Sequence, residues 1–390
     1  MRLTGKAFAI GDNAISKIYR GNKVAFDTGE LEVFEAPAST VTNASLALGG
    51  YARNIWDMQV YGSRIYIGIG NSSTNGPTPN AGPIPVYYFD PTTEQYTTEF
   101  MVDEEQINIF KIIEGDLYIP GHDPTESWAL GNFYKTSGNG WSKHRNIPNG
   151  IHTYDMAYYD GKLFAALGSG TNPPLVVSND MGATWSTAYT GAPGIGRFYT
   201  VFEFKGSVYA ISMLRTWTNF ESDVYELKRF NGTNFVDIAL GYGANMVPTL
   251  SMGFYKIIKP TTFSNKLLYI AGTDLNDHQT NPVALFVADE IDQLSMVSKV
   301  TFAEATAIPR DIIVRGSKVY VLTSVCNAEF DYTVIVYEST DLTTWTQTVS
   351  FASDAYAQSF EEYSGRFYFG LGCTTTEIPA SVGNIVKLGY

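Results

Sequence analysis

One short pattern recurs seven times along the 390 residues: a turn residue, one or two polar residues, an aliphatic residue, an aromatic, and a further apolar run. The copies begin at Gly62, Gly115, Gly161, Gly206, Asn265, Gly316 and Gly365, as in GSRIYIGIG, GDLYIPG and GRFYFGLG. Their aromatics are Tyr66, Tyr118, Phe164, Tyr209, Tyr269, Tyr320 and Tyr368, so the period lies between 45 and 60 residues. Before each copy stands a strand-like run such as NIWDMQVY or TYDMAYY. After it come a variable polar loop and another apolar run, such as PLVVS or TVIVYES. Apolar runs joined by glycine-type turns read as β-hairpins, and each period has room for four antiparallel strands. A sheet that small cannot bury both faces until its neighbours stack on it, which is the logic of a propeller blade. The fold class predicted is all-β, a seven-bladed β-propeller. A β-sandwich or a string of small β domains does not account for a hairpin that recurs through the whole chain with no linker between copies. The run NSSTNGPTPNAGPIP, Asn71 to Pro85, falls inside the first repeat and reads as a long blade loop.

The last repeat reaches Tyr390 after only three strands. An open sheet edge there would expose unpaired backbone. The unassigned segment LEVFEA, Leu31 to Ala36, is expected to supply the missing strand, with residues near Val33 pairing with Ile385–Leu388. The expected organisation is therefore an N-terminal β module over 1–30 and the propeller over 31–390, closed by 31–36 pairing with 384–390.

Composition agrees with burial on both blade faces. Hydrophobic residues make up 44% and charged ones only 17%, far from the disordered class. A net charge of −13 works against nucleic-acid binding and anionic membrane surfaces. No run of about 18 apolar residues appears, so membrane insertion is not expected. The N-terminus lacks the apolar core of a secretory signal, and export by a signal peptide is not expected. Cys326 and Cys373 occupy equivalent places in successive repeats and are expected to be free and buried.

Ser178-Asn179-Asp180-Met181-Gly182-Ala183-Thr184-Trp185 resembles the Asp-box, the S-x-D-x-G-x-T-W hairpin of sialidases and other propellers. All five defining positions, Ser178, Asp180, Gly182, Thr184 and Trp185, match. Ser339, Asp341 and Trp345 form a shortened version. The resemblance implies a folding element at the outer edge of a blade, remote from any active site. Sialidases also use an arginine triad to hold a substrate carboxylate. Arg53, Arg197 and Arg310 stand at the starts of the first strands of blades one, four and six, where bidentate guanidiniums could form such a clamp. The sialidase signature around the first arginine is missing from YARNIWD. The alternative is pairing of these arginines with carboxylates such as Asp57, Asp155 or Asp311.

The segment AISKIYRGNKVAFDTG, through Ile15, Lys17, Ile18, Tyr19, Gly21, Val24 and Phe26, resembles a short β module frequent near the ends of phage virion proteins. The resemblance implies attachment to other virion proteins. A hairpin this small needs a host surface in order to fold, and packing under the propeller is the alternative.

Residues for chemistry are sparse. His122, His144, His152 and His278 lack metal-ligand spacing, and no phosphate loop, nucleophile elbow or dinucleotide fingerprint appears. The groups His122-Asp123 and Asp274, Asp277, His278 read as loop turns. No catalytic residue, metal or cofactor is expected. Trp128, Trp217, Phe220, Phe330 and Tyr332, placed in loops after second strands among Asn, Thr and Ser, suit sugar rings or a protein interface. Together these features point to a non-enzymatic phage virion component, such as a tail, fibre or capsid-associated propeller, that binds host-surface glycan or virion protein. A sialidase-like glycan hydrolase and an intracellular interaction scaffold are the alternatives.

Overall fold

The computed structural model describes residues 8–10, 13–15, 18–20, 23–24, 31–34, 50–72, 80–169, 172–191, 197–215, 227–238, 245–251, 253–274, 280–291, 296–374 and 378–389. It is an all-β, seven-bladed propeller. Its repeating unit is an antiparallel sheet whose strands follow one another in chain order. Blade one is Asp57–Tyr61, Arg64–Gly68, Ile84–Asp90 and Gln95–Val102; blade two is Lys111–Ile113, Asp116–Pro120, Leu130–Thr136 and Trp141–Pro148. Blade three is His152–Tyr159, Lys162–Gly168, Pro174–Ser178 and Ser186–Thr190; blade four is Thr200–Phe204, Ser207–Ile211, Leu227–Phe230 and Phe235–Asp237. Blade five is Phe254–Phe263, Lys266–Asp274, Thr280–Ala288 and Val297–Lys299, with Leu214–Arg215 added beside its first strand. Blade six is Ile308–Arg315, Lys318–Ala328, Asp331–Ser339 and Thr346–Ser353; blade seven has Tyr356–Tyr363, Arg366–Gly372 and Ile385–Gly389. Blades one, six and seven form one compact unit, and blades two to five form another.

The recurrent hairpin is built by its turn. In blades two, three, four, five and seven the turns Glu114-Gly115, Asp160-Gly161, Lys205-Gly206, Ser264-Asn265 and Ser364-Gly365 carry positive φ at both positions. Blades one and six reach the same result with Gly62 and Gly316 at the first turn position. These left-handed turns match the right-handed twist of the strands they join. They also fix the register, and with it the sheet face on which each signature aromatic packs. All seven aromatics are buried, none more than 5% exposed. Each large side chain buried this way contributes on the order of 1.5–3 kcal/mol. Tyr320 meets Phe367 edge-on at 5.2 Å in one unit, and Phe164 meets Phe230 at 4.9 Å in the other.

The fourth strand of blade seven comes from the N-terminal side of the chain. Leu31–Phe34 runs antiparallel to Ile385–Gly389 with Val33 opposite Val386 and Leu31 opposite Leu388. Lys387 Nζ ties the pairing by donating to Glu32 Oε2 at 3.1 Å and to Glu94 Oε1 of blade one at 2.6 Å. Upstream, Phe8–Ile10 pairs with Asn13–Ile15. Ile18–Arg20 pairs both with Lys23–Val24 and with the fourth strand of blade six, Ile18 opposite Phe351 and Tyr19 opposite Ser350. Blade six thereby becomes a six-stranded sheet. Of the N-terminal pattern residues, Ile15, Ile18, Tyr19 and Val24 lie in these strands, while Lys17, Gly21 and Phe26 fall outside the described residues.

Cys373 is buried, but Cys326 is exposed, contrary to the expectation of a buried pair. The second strand of blade six continues to Ala328, whereas its counterpart in blade seven stops at Gly372. The extra length carries Cys326 out of the packed layer. Both thiols are free.

Candidate functional site

The site grows from a local irregularity in the first strands. In blades three, six and seven the register slips between Thr153 and Asp155, between Pro309 and Asp311, and between Ala357 and Ser359. Such a bulge re-aims the extra residue, here Tyr154, Arg310 and Gln358. The residue after each bulge fastens the next blade. Asp155 Oδ2 accepts from Val201 N at 3.1 Å, Asp311 Oδ2 accepts from Phe360 N at 3.2 Å, and Ser359 Oγ donates to Ile55 O at 2.8 Å. Burial raises the Asp155 pKa, and Lys111, whose Nζ lies 2.8 Å from Oδ1, opposes that shift.

Because strands alternate in direction, each first strand starts at the blade end where the second strand finishes. At that end, in the unit of blades two to five, Arg197 Nη1 donates to the Tyr154 hydroxyl. The Tyr154 ring is surrounded by His122 edge-on at 5.2 Å, by His152 stacked at 5.4 Å and by Tyr199 at 5.2 Å. Lys256 Nζ stands 3.9 Å above the Tyr199 ring. His152 Nδ1 lies 3.3 Å from Asp123 Oδ1. Burial holds the His122 pKa down to about 4, so the ring is neutral at pH 7. Its Nδ1 has no hydrogen-bond partner among the described residues. Trp128 is 62% exposed, with its ring 6.1 Å from that of His152. Below them Glu104 is buried. It accepts from Asn132 Nδ2 at 2.7 Å, from the Tyr134 hydroxyl at 3.0 Å and from Asp123 N at 3.0 Å. Burial pushes its pKa up to about 8 against the pull of these donors.

The unit of blades one, six and seven carries a related pair with the roles exchanged. Arg310 occupies the bulge, and its guanidinium carbon sits 3.9 Å over the ring of Tyr356 in the next blade. Arg310 is 7% exposed, and its Nε donates to Ser324 Oγ at 3.0 Å. Tyr332 meets Tyr356 edge-on at 5.6 Å, and Cys326 pairs with Tyr332 across the hairpin.

The residues singled out in the sequence fare unevenly. Trp217 and Phe220 lie outside the described residues, as do Asp277 and His278. Phe330 and Tyr332 are not on a long loop. Ala328 pairs with Asp331, so Phe330 sits in a tight turn at φ 55°, and Tyr332 lies within the strand Asp331–Ser339 at 8% exposure. Arg53 ends a short 3-10 helix, Gly50–Arg53, and is half-buried. Arg197 and Arg310 are held by tyrosine and serine rather than by Asp155 or Asp311. Tyr154, Tyr199, Lys256 and Tyr356 were not legible as site residues. The one available signal is that Tyr154 and Arg310 each precede an Asp in a first strand, TYDM and PRDI.

The turn Ser178–Trp185 lies at the opposite end of blade three. Asp180 Oδ1 accepts from Thr184 N at 2.8 Å and from Ser178 Oγ at 2.7 Å, and Ser178 Oγ accepts from Gly182 N at 2.8 Å. These bonds hold the Asp180 pKa down to about 2. Trp185 meets Phe133 of blade two edge-on at 6.0 Å. The shorter turn of blade six repeats the scheme, with Asp341 Oδ1 accepting from Thr343 N and Thr344 N, and Trp345 against Phe302. No cluster of three or more potential metal ligands occurs among the described residues.

No protein-family model and no curated protein matches the chain. Among solved structures it is similar to YCF48 bound to a D1 peptide, at 12% identity and a TM-score of 0.49, over 92% of this chain and 97% of that one. It is also similar to the β-propeller domain of the trilobed protease from Pyrococcus furiosus, at 8% identity and a TM-score of 0.49, over 84% and 93%. The polysaccharide lyase Uly1 is similar at 10% identity and a TM-score of 0.44, over 87% and 90%. These neighbours include peptide-binding and enzymatic proteins, and at such identities their roles do not carry over to this chain.

Proposed function

We propose that the chain is a non-enzymatic recognition component of a phage virion, a tail, fibre or capsid-associated propeller that engages host-surface glycan or a neighbouring virion protein. The observation that carries the recognition half is Trp128. It is exposed beside His152, whose ring stacks on Tyr154, the tyrosine that Arg197 holds. An exposed indole flanked by fixed polar groups offers the apolar platform and edge hydrogen bonds that a sugar ring uses. The virion half is supported by the N-terminal pattern and is a proposal about location. In this chain the Ile18–Arg20 hairpin rests on blade six, and attachment through it uses its outer strand Lys23–Val24 or transfers the hairpin to a neighbour.

Two measurements test the halves separately. Mass spectrometry of purified particles is expected to find the chain at stoichiometric level, and its absence from particles would overturn the location. A glycan array is expected to show binding that Trp128→Ala weakens by about tenfold, the scale of one aromatic contact. Release of reducing sugar from a bound glycan would instead favour the hydrolase.

A further inference from the structure

We propose that Arg310 is the anchor of a carboxylate-binding site, and that its ligand is an acidic saccharide of uronate type. A buried cation ordinarily has a compensating anion, since leaving it alone in a low-dielectric setting is costly. Arg310 is 7% exposed, yet among the described residues no carboxylate pairs with it. The adjacent Asp311 turns its oxygens to the backbone amides of Ile312 and Phe360. The polar contact that Arg310 makes with described residues is the one from Nε to Ser324 Oγ. That bond fixes the rotation of the guanidinium, and the Tyr356 ring 3.9 Å away fixes its plane. The two terminal nitrogens donate to no described residue. They present a pre-oriented fork, the geometry that matches the two oxygens of a carboxylate. Arg197 differs on this point, because its Nη1 is committed to the Tyr154 hydroxyl.

The surroundings favour a saccharide over a peptide strand. The second and third strands of blade six are paired on both sides, and the first strand, Ile308–Arg315, which is an open edge, is interrupted at Arg310 by the bulge, which breaks the register an added backbone strand needs. What surrounds the guanidinium is the rings of Tyr356 and Tyr332 and the Ser324 hydroxyl, apolar ring surface beside a polar group, as a sugar ring uses. The inference rests on the chain being a recognition protein, as proposed above, but not on its belonging to a virion.

Isothermal titration of the full chain with glucuronate, with glucose as the neutral control, provides the test. Glucuronate is expected to bind and glucose is not. Arg310→Gln should weaken glucuronate by roughly 10- to 100-fold, the worth of a charge-assisted bidentate pair, and Arg310→Lys should fall between. Equal binding of both sugars, no glucuronate binding, or an unchanged Arg310→Gln overturns the proposal. Binding of a short Asp-rich peptide in place of glucuronate overturns it as well. Should Arg310→Gln fail to fold, the unmodified chain gives an independent readout through its exposed thiol at Cys326, since Cys373 is only 3% exposed. Glucuronate is expected to slow thiol labelling of Cys326 several-fold and glucose to leave it unchanged; identical rates would refute the site. A negative glycan array on Trp128 with a positive glucuronate titration would separate this inference from the broader one.

Discussion

Glu104 shows what a single buried acid does to the stability of its blade. Its three donors favour the ionised form, but burial wins and the pKa rises from its ordinary 4.5 to about 8. The native chain therefore holds this proton more tightly than the unfolded chain does. The stabilisation is complete below about pH 4.5 and is lost as pH rises toward 8. In Glu104→Gln the amide oxygen keeps the bonds from Asn132 and Tyr134, while the amide nitrogen cannot accept from Asp123 N. The variant is expected to melt below the parent at pH 5 and to approach it by pH 9, because its own midpoint no longer carries the Glu104 titration. Thermal melts across that range check this, and parallel curves would refute the assignment. Single residues of this kind are where sequence reasoning was weakest. Tyr66 and its six equivalents were legible because a period repeated them. Asp155 and Asp311 read as candidate rim carboxylates, because nothing in a sequence marks the bulge that turns them toward the next blade.

At the scale of elements, the N-terminal strands divide into two jobs with different energetic consequences. Leu31–Phe34 completes blade seven, with Val33 packed against the buried cluster that contains Val386 and Phe369. Ile18–Arg20 adds to a fourth strand that blade six already has. Deleting residues 1–30 is thus expected to leave a chain that unfolds cooperatively with a nearly unchanged urea slope. Deleting 1–36 also leaves the edge of Ile385–Gly389 unpaired. That chain should melt several degrees lower and associate, since an open apolar edge templates pairing. Urea titration with light scattering compares the two, and equal stability would remove the closing role of Leu31–Phe34. The strand itself was visible in LEVFEA as an apolar run without a partner. The host of the preceding hairpin was not, because its alternation specifies a strand but carries no information about which edge receives it.

For the whole molecule the balance to resolve is between a net charge of −13 and an anionic ligand. The repeat explains the low charge density, since blade faces are consumed by packing. A uronate-bearing oligosaccharide approaching Arg310 meets a net repulsive field before it meets the guanidinium. Long-range repulsion is screened over a Debye length of about 30 Å at 0.01 M salt and about 8 Å at 0.15 M. The contact itself, between a carboxylate and an arginine at 7% exposure, is screened much less. The association rate is therefore expected to rise several-fold as salt increases from 0.01 to 0.15 M, opposite to the trend for an anion captured by a basic surface. Dissociation should change less. Stopped-flow or surface-capture kinetics at the two ionic strengths decide the matter. An association rate that falls with salt would mean that Arg310 sets the local potential at its site, and that the net charge of the chain does not govern ligand approach.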